Sequence, residues 1–376
     1  MKKSLLLLII AVVLIPLLVL TGCQGGESEP EQEVSKSIRD KEDKDKKVTG
    51  DKIEVENDKE GETKTKSNNE NSEYYTSPFT GKLVEGKLLR KVLMVSIENS
   101  PAARPQSGLQ SADIIYEFLV EGGITRFLAL YWHDIPGKIG PVRSLRPYFI
   151  KTAVPYNPLL LHAGASPEGF KMLSEIEISN LDQIYNGKYY WRDSNRNRPH
   201  NLYTGYFKFA NYLNRLTGQE YSKRFSFQQI KLIKDKVNKA ENININYWGN
   251  YSVKYKYSPQ KNVYNRFLNF EQPHLTEDGQ QLTAKNIIIK FVDTSVKDDI
   301  GRLKMTLNGR GKALIFRDGA VIKGYWKSEE NKLTEFYTAK NKDVKLNPGQ
   351  TWIQVVPKSI VVNYGKGEIN GQGSKR

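Results

Sequence analysis

Residues 127–132, FLALYW, place the strongest constraint on how this chain can fold. These six consecutive apolar residues are bounded by the pair Gly122 and Gly123 and by loop residues at 134–137. An apolar run this short between turn signals is typical of a buried β-strand rather than a helix. Polar and basic residues lie at both of its ends. Because ligands bind at strand ends in open α/β sheets, the sequence predicts a site here.

The rest of the chain predicts two regions of different character. Further buried-type strands are predicted at 92–97, 112–118 and 158–162, and Ser166 followed by Pro167 is typical of a helix start. After about residue 227 the pattern changes to β-type runs, and Asp318 with Gly319 between two such runs predicts a hairpin. We therefore expect an α/β (α+β) N-terminal domain with a central mixed sheet at 77–225, a smaller, mostly β C-terminal domain at 226–365, and a flexible tail at 366–376.

The N-terminus has the features of an export signal. Lys2 and Lys3 precede an apolar run at 5–20, which ends in LTGC at 20–23 and resembles the bacterial lipobox. The resemblance implies a lipoprotein signal peptide at 1–22 and a lipid, including palmitate, on Cys23, the only cysteine. An uncleaved anchor helix that happens to end in cysteine is the alternative. The expected location is the extracytoplasmic face of the cell membrane.

Charge separates the next segment from the folded part. Residues 24–76 hold 16 acidic and 10 basic side chains and few apolar ones, so we expect Cys23 and this segment, 23–76, to form a lipidated, disordered tether. Residues 77–376 hold 45 basic and 26 acidic side chains, a net charge of +19. Such an excess attracts anionic surfaces, which outside a cell are lipid headgroups and phosphate-containing wall polymers. Export and the lack of a nucleic-acid-binding motif argue against nucleic acid as a partner.

We expect three arginines, Arg126, Arg143 and Arg146, to converge on one anion site. Convergence requires the chain after Gly137 to double back along the sheet, with a bend at Gly140. Crowded guanidinium groups repel one another, which is tolerable beside carboxylates or a bound anion, and the planar arginine fork suits phosphate. The other candidate members of this ligand-binding site are Arg192, His200, Glu117, Glu121 and His162.

Structural explanations compete with each of these assignments. Each arginine could pair separately with a carboxylate, and His162, after three leucines, could be an internally satisfied core residue. Ser166 fits a helix cap better than a serine nucleophile. The four histidines show no zinc-type spacing, so we expect neither a metal nor another cofactor, and no catalytic residue is assigned.

Several motifs together resemble the YerB-type bacterial lipoprotein family. The motifs are RPQSGL at 104–109, Glu117, EGGITR at 121–126, GPVRS at 140–144, HAG at 162–164, WRD at 191–193, PHNLY at 199–203 and NPGQTW at 347–352. The resemblance covers nearly everything after the tether. It implies a surface lipoprotein of a Gram-positive cell envelope and no established activity.

A second similarity is to the LytR-CpsA-Psr transferases, which move wall polymers from polyprenyl pyrophosphate onto peptidoglycan. A glycine-rich turn, an apolar strand, a basic run and HAG follow one another in the same order. The similarity implies that Arg126, Arg143 and Arg146 hold a pyrophosphate. That family has an acidic, metal-binding residue where this chain has Arg126. Two functions therefore remain open: a module that binds an anionic wall polymer, a polyprenyl phosphate or a sugar-containing envelope ligand, and a transferase acting on polyprenyl-pyrophosphate-linked wall polymers.

Overall fold

The computed structural model of the chain describes residues 56–57, 63–64, 74–85, 91–221, 225–228, 239–248 and 251–366. The predicted signal peptide at 1–22 and the lipidation site Cys23 lie outside these residues, as do nearly all of the predicted tether and tail. Among the residues described, no helix is both long enough and apolar enough to cross a membrane.

Strands dominate the structure, and helices are few and short. In chain order the strands are β1 Glu56–Asn57, β2 Thr63–Lys64, β3 Tyr74–Thr76, β4 Leu83–Glu85, β5 Leu93–Glu98, β6 Ile114–Leu119, β7 Thr125–Tyr131, β8 Leu159–His162, β9 Asn180–Asp182, β10 Trp191–Arg192, β11 Leu202–Tyr203, β12 Ser226–Phe227, β13 Asn242–Asn246, β14 Ser252–Ser258, β15 Val263–Leu268, β16 Gln272–Pro273, β17 Thr283–Ala284, β18 Asn286–Val292, β19 Thr294–Val296, β20 Leu303–Met305, β21 Gly309–Arg317, β22 Ala320–Ser328, β23 Glu335–Thr338, β24 Lys345–Leu346, β25 Thr351–Pro357 and β26 Val362–Gly365. The α-helices are α1 Pro147–Ala153, α2 Pro167–Glu175 and α3 Tyr206–Leu213. Short 3-10 helices span Pro101–Ala103, Leu109–Ser111, Glu121–Gly123, Val154–Tyr156 and Gly187–Tyr189.

A ten-stranded mixed sheet runs through both predicted regions. Its strand order is β23-β22-β21-β18-β25-β6-β7-β5-β8-β9. The late strand β25 pairs in parallel with the early strand β6, with Trp352 opposite Ile115. Strands β5, β6, β8, β9, β18 and β25 all point the same way, and the end of the sheet at which they terminate is called here the carboxyl edge.

The predicted central strand is confirmed. All seven residues of β7 are buried, as are all six of β5 and of β6. Strands buried on both faces have continuous apolar sequences, so the apolar run at 127–132 indicated a buried strand. Helix α1 covers one face, where Phe118 lies 4.7 Å from Phe149 between ring centroids. On the other face Phe127 meets Trp352 at 5.6 Å, and Trp352 meets Tyr255 at 6.4 Å.

A second, antiparallel sheet covers that other face. Its order is β16-β15-β14-β13-β26, and β17 also pairs with β15. Inner and outer residues alternate along β15, as expected for a sheet with one solvated side. The predicted hairpin is also present: Asp318 (φ 55°) and Gly319 (φ 69°) join β21 to β22, and both adopt the positive φ that a type I′ turn requires. The C-terminal region is mostly β, as predicted.

Candidate functional site

The carboxyl edge brings several predicted site residues together. Glu98 ends β5 and lies directly opposite Arg126 in the neighbouring strand β7. The following basic segment doubles back, because Val142 pairs antiparallel with Ile97 and the Arg143 amide donates to the Ser96 carbonyl at 2.9 Å. The predicted reversal of the chain after residue 137 is therefore confirmed.

Glycine is required at the bend itself. Gly140 has a φ of 149°, and its peptide bond to Pro141 is cis. A Cβ atom at Gly140 would lie 2.8 Å from the carbonyl oxygen of Leu202, closer than real Cβ atoms come. This close approach lets the chain after the bend run beside both β5 and β11.

Arg126 forms the buried part of the site. Its side chain is 8% exposed, and Nη1 donates to the carbonyl and the hydroxyl oxygen of Ser144. Of the described carboxylates, none lies within 4.0 Å of its guanidinium, and its buried Nε has no hydrogen-bond partner. Burial, and after it the charge of Arg146, lowers the pKa of Arg126 to about 10. Arg126 is thus a buried cation without a direct counter-ion among the described residues.

Arg146 is neutralised by Glu121. Its Nε donates to Oε1 at 2.6 Å and its Nη2 to Oε2 at 2.8 Å, a bidentate pair. Its Nη1 also reaches the Ser144 hydroxyl at 3.3 Å, so Arg126 and Arg146 meet at one oxygen. Burial alone would raise the pKa of Glu121, but the hydrogen bond and charge of Arg146 outweigh it and hold that pKa below its ordinary value.

Glu98 organises the more accessible part of the site. Arg143 donates from Nη2 to Oε1 at 2.9 Å, and its Nε lies 2.8 Å from Oε2. His200 Nδ1 lies 2.9 Å from the same Oε1, and Ser100 donates to it at 2.7 Å. Burial would raise the pKa of Glu98, but hydrogen bonds from Arg143 and Ser100 and the charges of Arg143 and His200 bring it below its ordinary value. Glu98 is therefore an internal anion that fixes the Arg143 guanidinium and the His200 imidazole near the surface.

Two exposed arginines stand beside this group. Arg192 donates to the Asn201 side-chain oxygen at 2.8 Å, and neither Arg192 nor Arg198 has a carboxylate within 4.0 Å among the described residues. Burial lowers the pKa of Arg192, and the charges of Arg198 and Arg143 lower it further. We call the set Arg143, Arg192, Arg198 and His200 the basic rim.

Comparison with known proteins identifies the family. Two family models match, "Protein of unknown function (DUF3048) N-terminal domain" over residues 79–221 and the corresponding C-terminal domain over residues 243–353. A protein of Bacillus subtilis (strain 168), named "Putative lipoprotein YerB", is 32% identical over 301 residues, which cover 78% of this chain and 89% of that protein. The chain belongs to the YerB family. The crystal structure of the YerB protein from Bacillus subtilis matches with a TM-score of 0.68 and 30% identity, covering 77% of this chain and 99% of that one.

Two predicted site residues of this YerB-family chain do not join the group. Glu117 faces the opposite side of the sheet, because successive residues of β6 alternate and it is Phe118 that pairs with Arg126. The expectation that Glu117 neutralises the arginines of the site is thus corrected. The His162 ring is fully buried and lies 3.0 Å from the Gly164 carbonyl, and this burial lowers its pKa. Its geometry matches the core-residue alternative.

Glu117 instead belongs to a buried polar cluster between the two sheets of the YerB-family fold. Its Oε2 lies 2.8 Å from Nη2 of Arg266, and both side chains are fully buried. Arg266 also donates to the hydroxyls of Tyr251 and Tyr255 and to Nδ1 of His274. Burial would lower the pKa of Arg266, but the charge of Glu117 raises it above its ordinary value. We call these five residues the buried polar cluster.

Two further features have signals in the sequence. Arg198 is not a member of the site predicted above, although the segment 192–198 carries three arginines in seven residues. Ser166 acts as a helix cap, since its Oγ accepts a hydrogen bond from the Gly169 amide at 3.2 Å. Across the described ranges, no three His, Cys, Asp or Glu side chains lie close enough together to hold a metal ion.

Proposed function

We propose that this chain is a membrane-anchored extracytoplasmic lipoprotein that binds an anionic or sugar-containing cell-envelope ligand through the basic rim. The lipobox at Cys23 and the name of the Bacillus subtilis relative support lipid anchoring. The family match supports a Gram-positive envelope as the setting. The net charge of +19 over residues 77–376 supports an anionic ligand.

One observation carries the ligand-binding part of the proposal. Arg192 and Arg198 are exposed beside Arg143 without a carboxylate of their own among the described residues, whereas Glu98 already engages Arg143 and His200. Burial lowers the pKa of Arg192, repulsion from Arg198 and Arg143 lowers it further, and a bound anion would relieve this repulsion. Each guanidinium offers a planar fork of donors that fits a phosphate group.

An aromatic surface next to the rim suits a sugar-containing ligand. Trp191 precedes Arg192 in β10, and its ring lies 5.3 Å from that of Phe207, which is 65% exposed. Trp191 also packs against Tyr203 at 6.1 Å, which holds the indole in place.

The proposal is tested with a short glycerol-phosphate oligomer as the probe. The variant Arg192→Gln with Arg198→Gln removes two exposed cations and leaves Glu98 and Arg143 untouched. Because charge-assisted hydrogen bonds contribute roughly 1.5–3 kcal/mol, we expect calorimetry to show affinity at least about tenfold weaker than wild type. The difference should shrink at high salt.

The matched control removes the same charge elsewhere. The control is Lys256→Gln with Lys261→Gln, which changes an exposed lysine in β14 and another in the turn between β14 and β15, away from the carboxyl edge. We expect a change below about twofold for this control. Equal losses in the two variants would mean that the oligomer responds only to net charge, and no loss in either would remove the binding site.

A transferase acting on polyprenyl-pyrophosphate-linked wall polymers is the second candidate. The observation that favours it is the Glu98–His200 pair, because Glu98 holds Nδ1 and leaves Nε2 without a hydrogen bond to any described residue. An imidazole oriented in this way can exchange a proton at Nε2. Transfer of the polymer from such a donor to an added peptidoglycan acceptor, with release of the polyprenyl phosphate left by cleavage of the pyrophosphate bond, would favour this candidate over simple binding.

A further inference from the structure

The turn that follows the edge strand β9 exposes two large apolar side chains. Ile184 is 60% exposed and Tyr185 is 80% exposed. The turn is nevertheless firmly held, because the carboxylate of buried Asp182 accepts from the amides of Ile184 at 3.0 Å and Gly164 at 2.8 Å. The apolar side chains therefore project from a fixed backbone at the carboxyl edge.

A third apolar side chain extends this surface. A Cβ atom added to Gly164 would lie 3.2 Å from Cδ1 of Ile184 and 3.8 Å from Cζ of Phe170, so both side chains border the same glycine. Phe170, in α2, is 37% exposed. Single exposed apolar residues are ordinary, whereas a contiguous group bordered by charges marks an interaction surface. We call Ile184, Tyr185 and Phe170 the apolar tip.

The charges that follow Ile184 and Tyr185 along the chain are almost all positive, and two acids of α2, the helix that carries Phe170, are paired with lysines, Glu168 with Lys297 and Glu175 with Lys171. Residues 183–200 contain Lys188, Arg192, Arg196 and Arg198, against the single acid Asp193. The direct ion pair of Asp193 is with Lys138, outside this stretch, at 3.1 Å from Nζ. Within the described part of the chain, Lys188 makes no ion pair, and its Nζ lies 5.1 Å from the Tyr189 ring centroid.

We infer that the apolar tip is a membrane-docking surface that inserts into the headgroup region of an anionic lipid bilayer. Lysine and arginine beside an exposed isoleucine and tyrosine give both components of interfacial binding, which are apolar insertion and attraction to anionic lipid. Tyrosine favours this region because its ring is apolar and its hydroxyl stays hydrated. The inference goes beyond the proposed ligand site and does not depend on it.

A second exposed isoleucine supplies a matched contrast within the same molecule. Ile300 is 69% exposed, in the loop between β19 and β20. It follows Asp298 and Asp299, and Arg302 is committed to Asp298 with Nε 2.6 Å from Oδ2. An anionic bilayer should repel this loop although its isoleucine is at least as accessible as Ile184. Exposure alone therefore does not define the docking surface.

The experiment places an environment-sensitive fluorophore at each isoleucine of the full-length chain. Because Cys23 is the only cysteine, Ile184→Cys and Ile300→Cys each add one new thiol, and labelled wild type reports the Cys23 background. Each protein is mixed with vesicles of phosphatidylglycerol and phosphatidylcholine that carry doxyl-labelled lipid. We expect a blue shift at position 184, with quenching at least about threefold greater than at position 300. In vesicles of phosphatidylcholine alone the signal at 184 should fall toward that at 300.

Three results would overturn the inference. The first is an equal response at the two positions, and the second is equal quenching with and without phosphatidylglycerol. The third is a blue shift at position 184 that needs no vesicles and grows with protein concentration, because a second copy of the chain would then cover the tip. The ligand-binding test stays separate, because the quenching at 184 is measured without the oligomer, and Lys188 and the three apolar side chains of the tip lie outside the basic rim.

Discussion

The buried polar cluster and the basic rim use the same chemical groups, and they differ in their relation to water. In the cluster, Glu117 and Arg266 are both fully buried, and tyrosine and histidine side chains complete the hydrogen bonding of the guanidinium. In the rim, Glu98 is buried, but the cations around it are partly or fully exposed. The first arrangement is closed, whereas the second leaves donors facing solvent.

The difference shows which arginines are available to a ligand. The cluster joins strand β6 of the first region to strand β15 of the second, so it helps to fix the two sheets against each other. Its charges balance without any partner from outside. Arg192 and Arg198 in the rim have no such balance among the described residues, and this distinction separates a structural ion pair from a binding surface. The predictions below test that distinction through stability.

The largest expected effect comes from opening the cluster. Arg266→Met removes the cation and leaves the Glu117 carboxylate buried without its charged partner. Breaking a buried pair in this way costs about 3–5 kcal/mol, so urea denaturation should show a fall of that size in the free energy of unfolding. The double variant Arg266→Met with Glu117→Gln buries no unpaired charge and should recover part of the loss. A fall below about 1 kcal/mol for Arg266→Met would contradict the structural role of the cluster.

Local sequence patterns predicted much of the fold. The apolar run at 127–132 is the core of β7, and Asp318 with Gly319 forms the predicted hairpin, because each pattern reports a property of its own few residues. The insertion of β25 beside β6 was not predicted. That pairing joins residues more than 200 positions apart. A buried strand has the same continuous apolar pattern whichever strands lie beside it, so the pattern does not identify its neighbours.

The sequence predicted only those parts of the site whose residues lie close to one another along the chain. Arg143 and Arg146 follow β7 closely, and the glycine at 140 indicated the bend that returns them to its start. Glu117 was a candidate for the ligand-binding site but lies on the other side of the sheet from Arg126, because a strand buried on both faces gives no alternation to show which way a residue points. Its partner Arg266 lies 149 positions away, and nothing local indicates that an arginine in a β-type run is fully buried.

An intermediate effect is expected from the histidine of the cluster. Burial, with the charges of Arg266 and Arg104, lowers the pKa of His274 well below the ordinary value of 6.5. Below about pH 6.5 the unfolded chain therefore binds a proton that the folded protein does not, and stability falls as pH falls. The slope is at most about 1.4 kcal/mol per pH unit for each such histidine. His162, whose pKa is lowered by burial, adds a second contribution of the same sign.

His274→Gln removes one of these two contributions. Denaturation at pH 8, where both histidines are neutral, measures the packing change alone. Between pH 6.5 and 5.5 the variant should then lose about 1 kcal/mol less stability than wild type. An unchanged slope would mean that His274 accepts a proton in the folded protein, and hence that the cluster is open to water like the rim.

The smallest effect on the free energy of unfolding is expected from substitutions in the basic rim, in contrast to the large effect expected in the buried polar cluster. Arg192→Gln with Arg198→Gln relieves repulsion with Arg143 and removes one partly buried hydrogen bond, from Arg192 to Asn201. Exposed charges contribute little to folding, so the free energy of unfolding should stay the same or rise by up to about 0.5 kcal/mol. Any gain should vanish in about 1 M salt, where the Debye length falls to about 3 Å and the repulsion is already screened. A loss above about 1 kcal/mol would mean that these arginines, like Arg266, stabilise the folded protein through their charge.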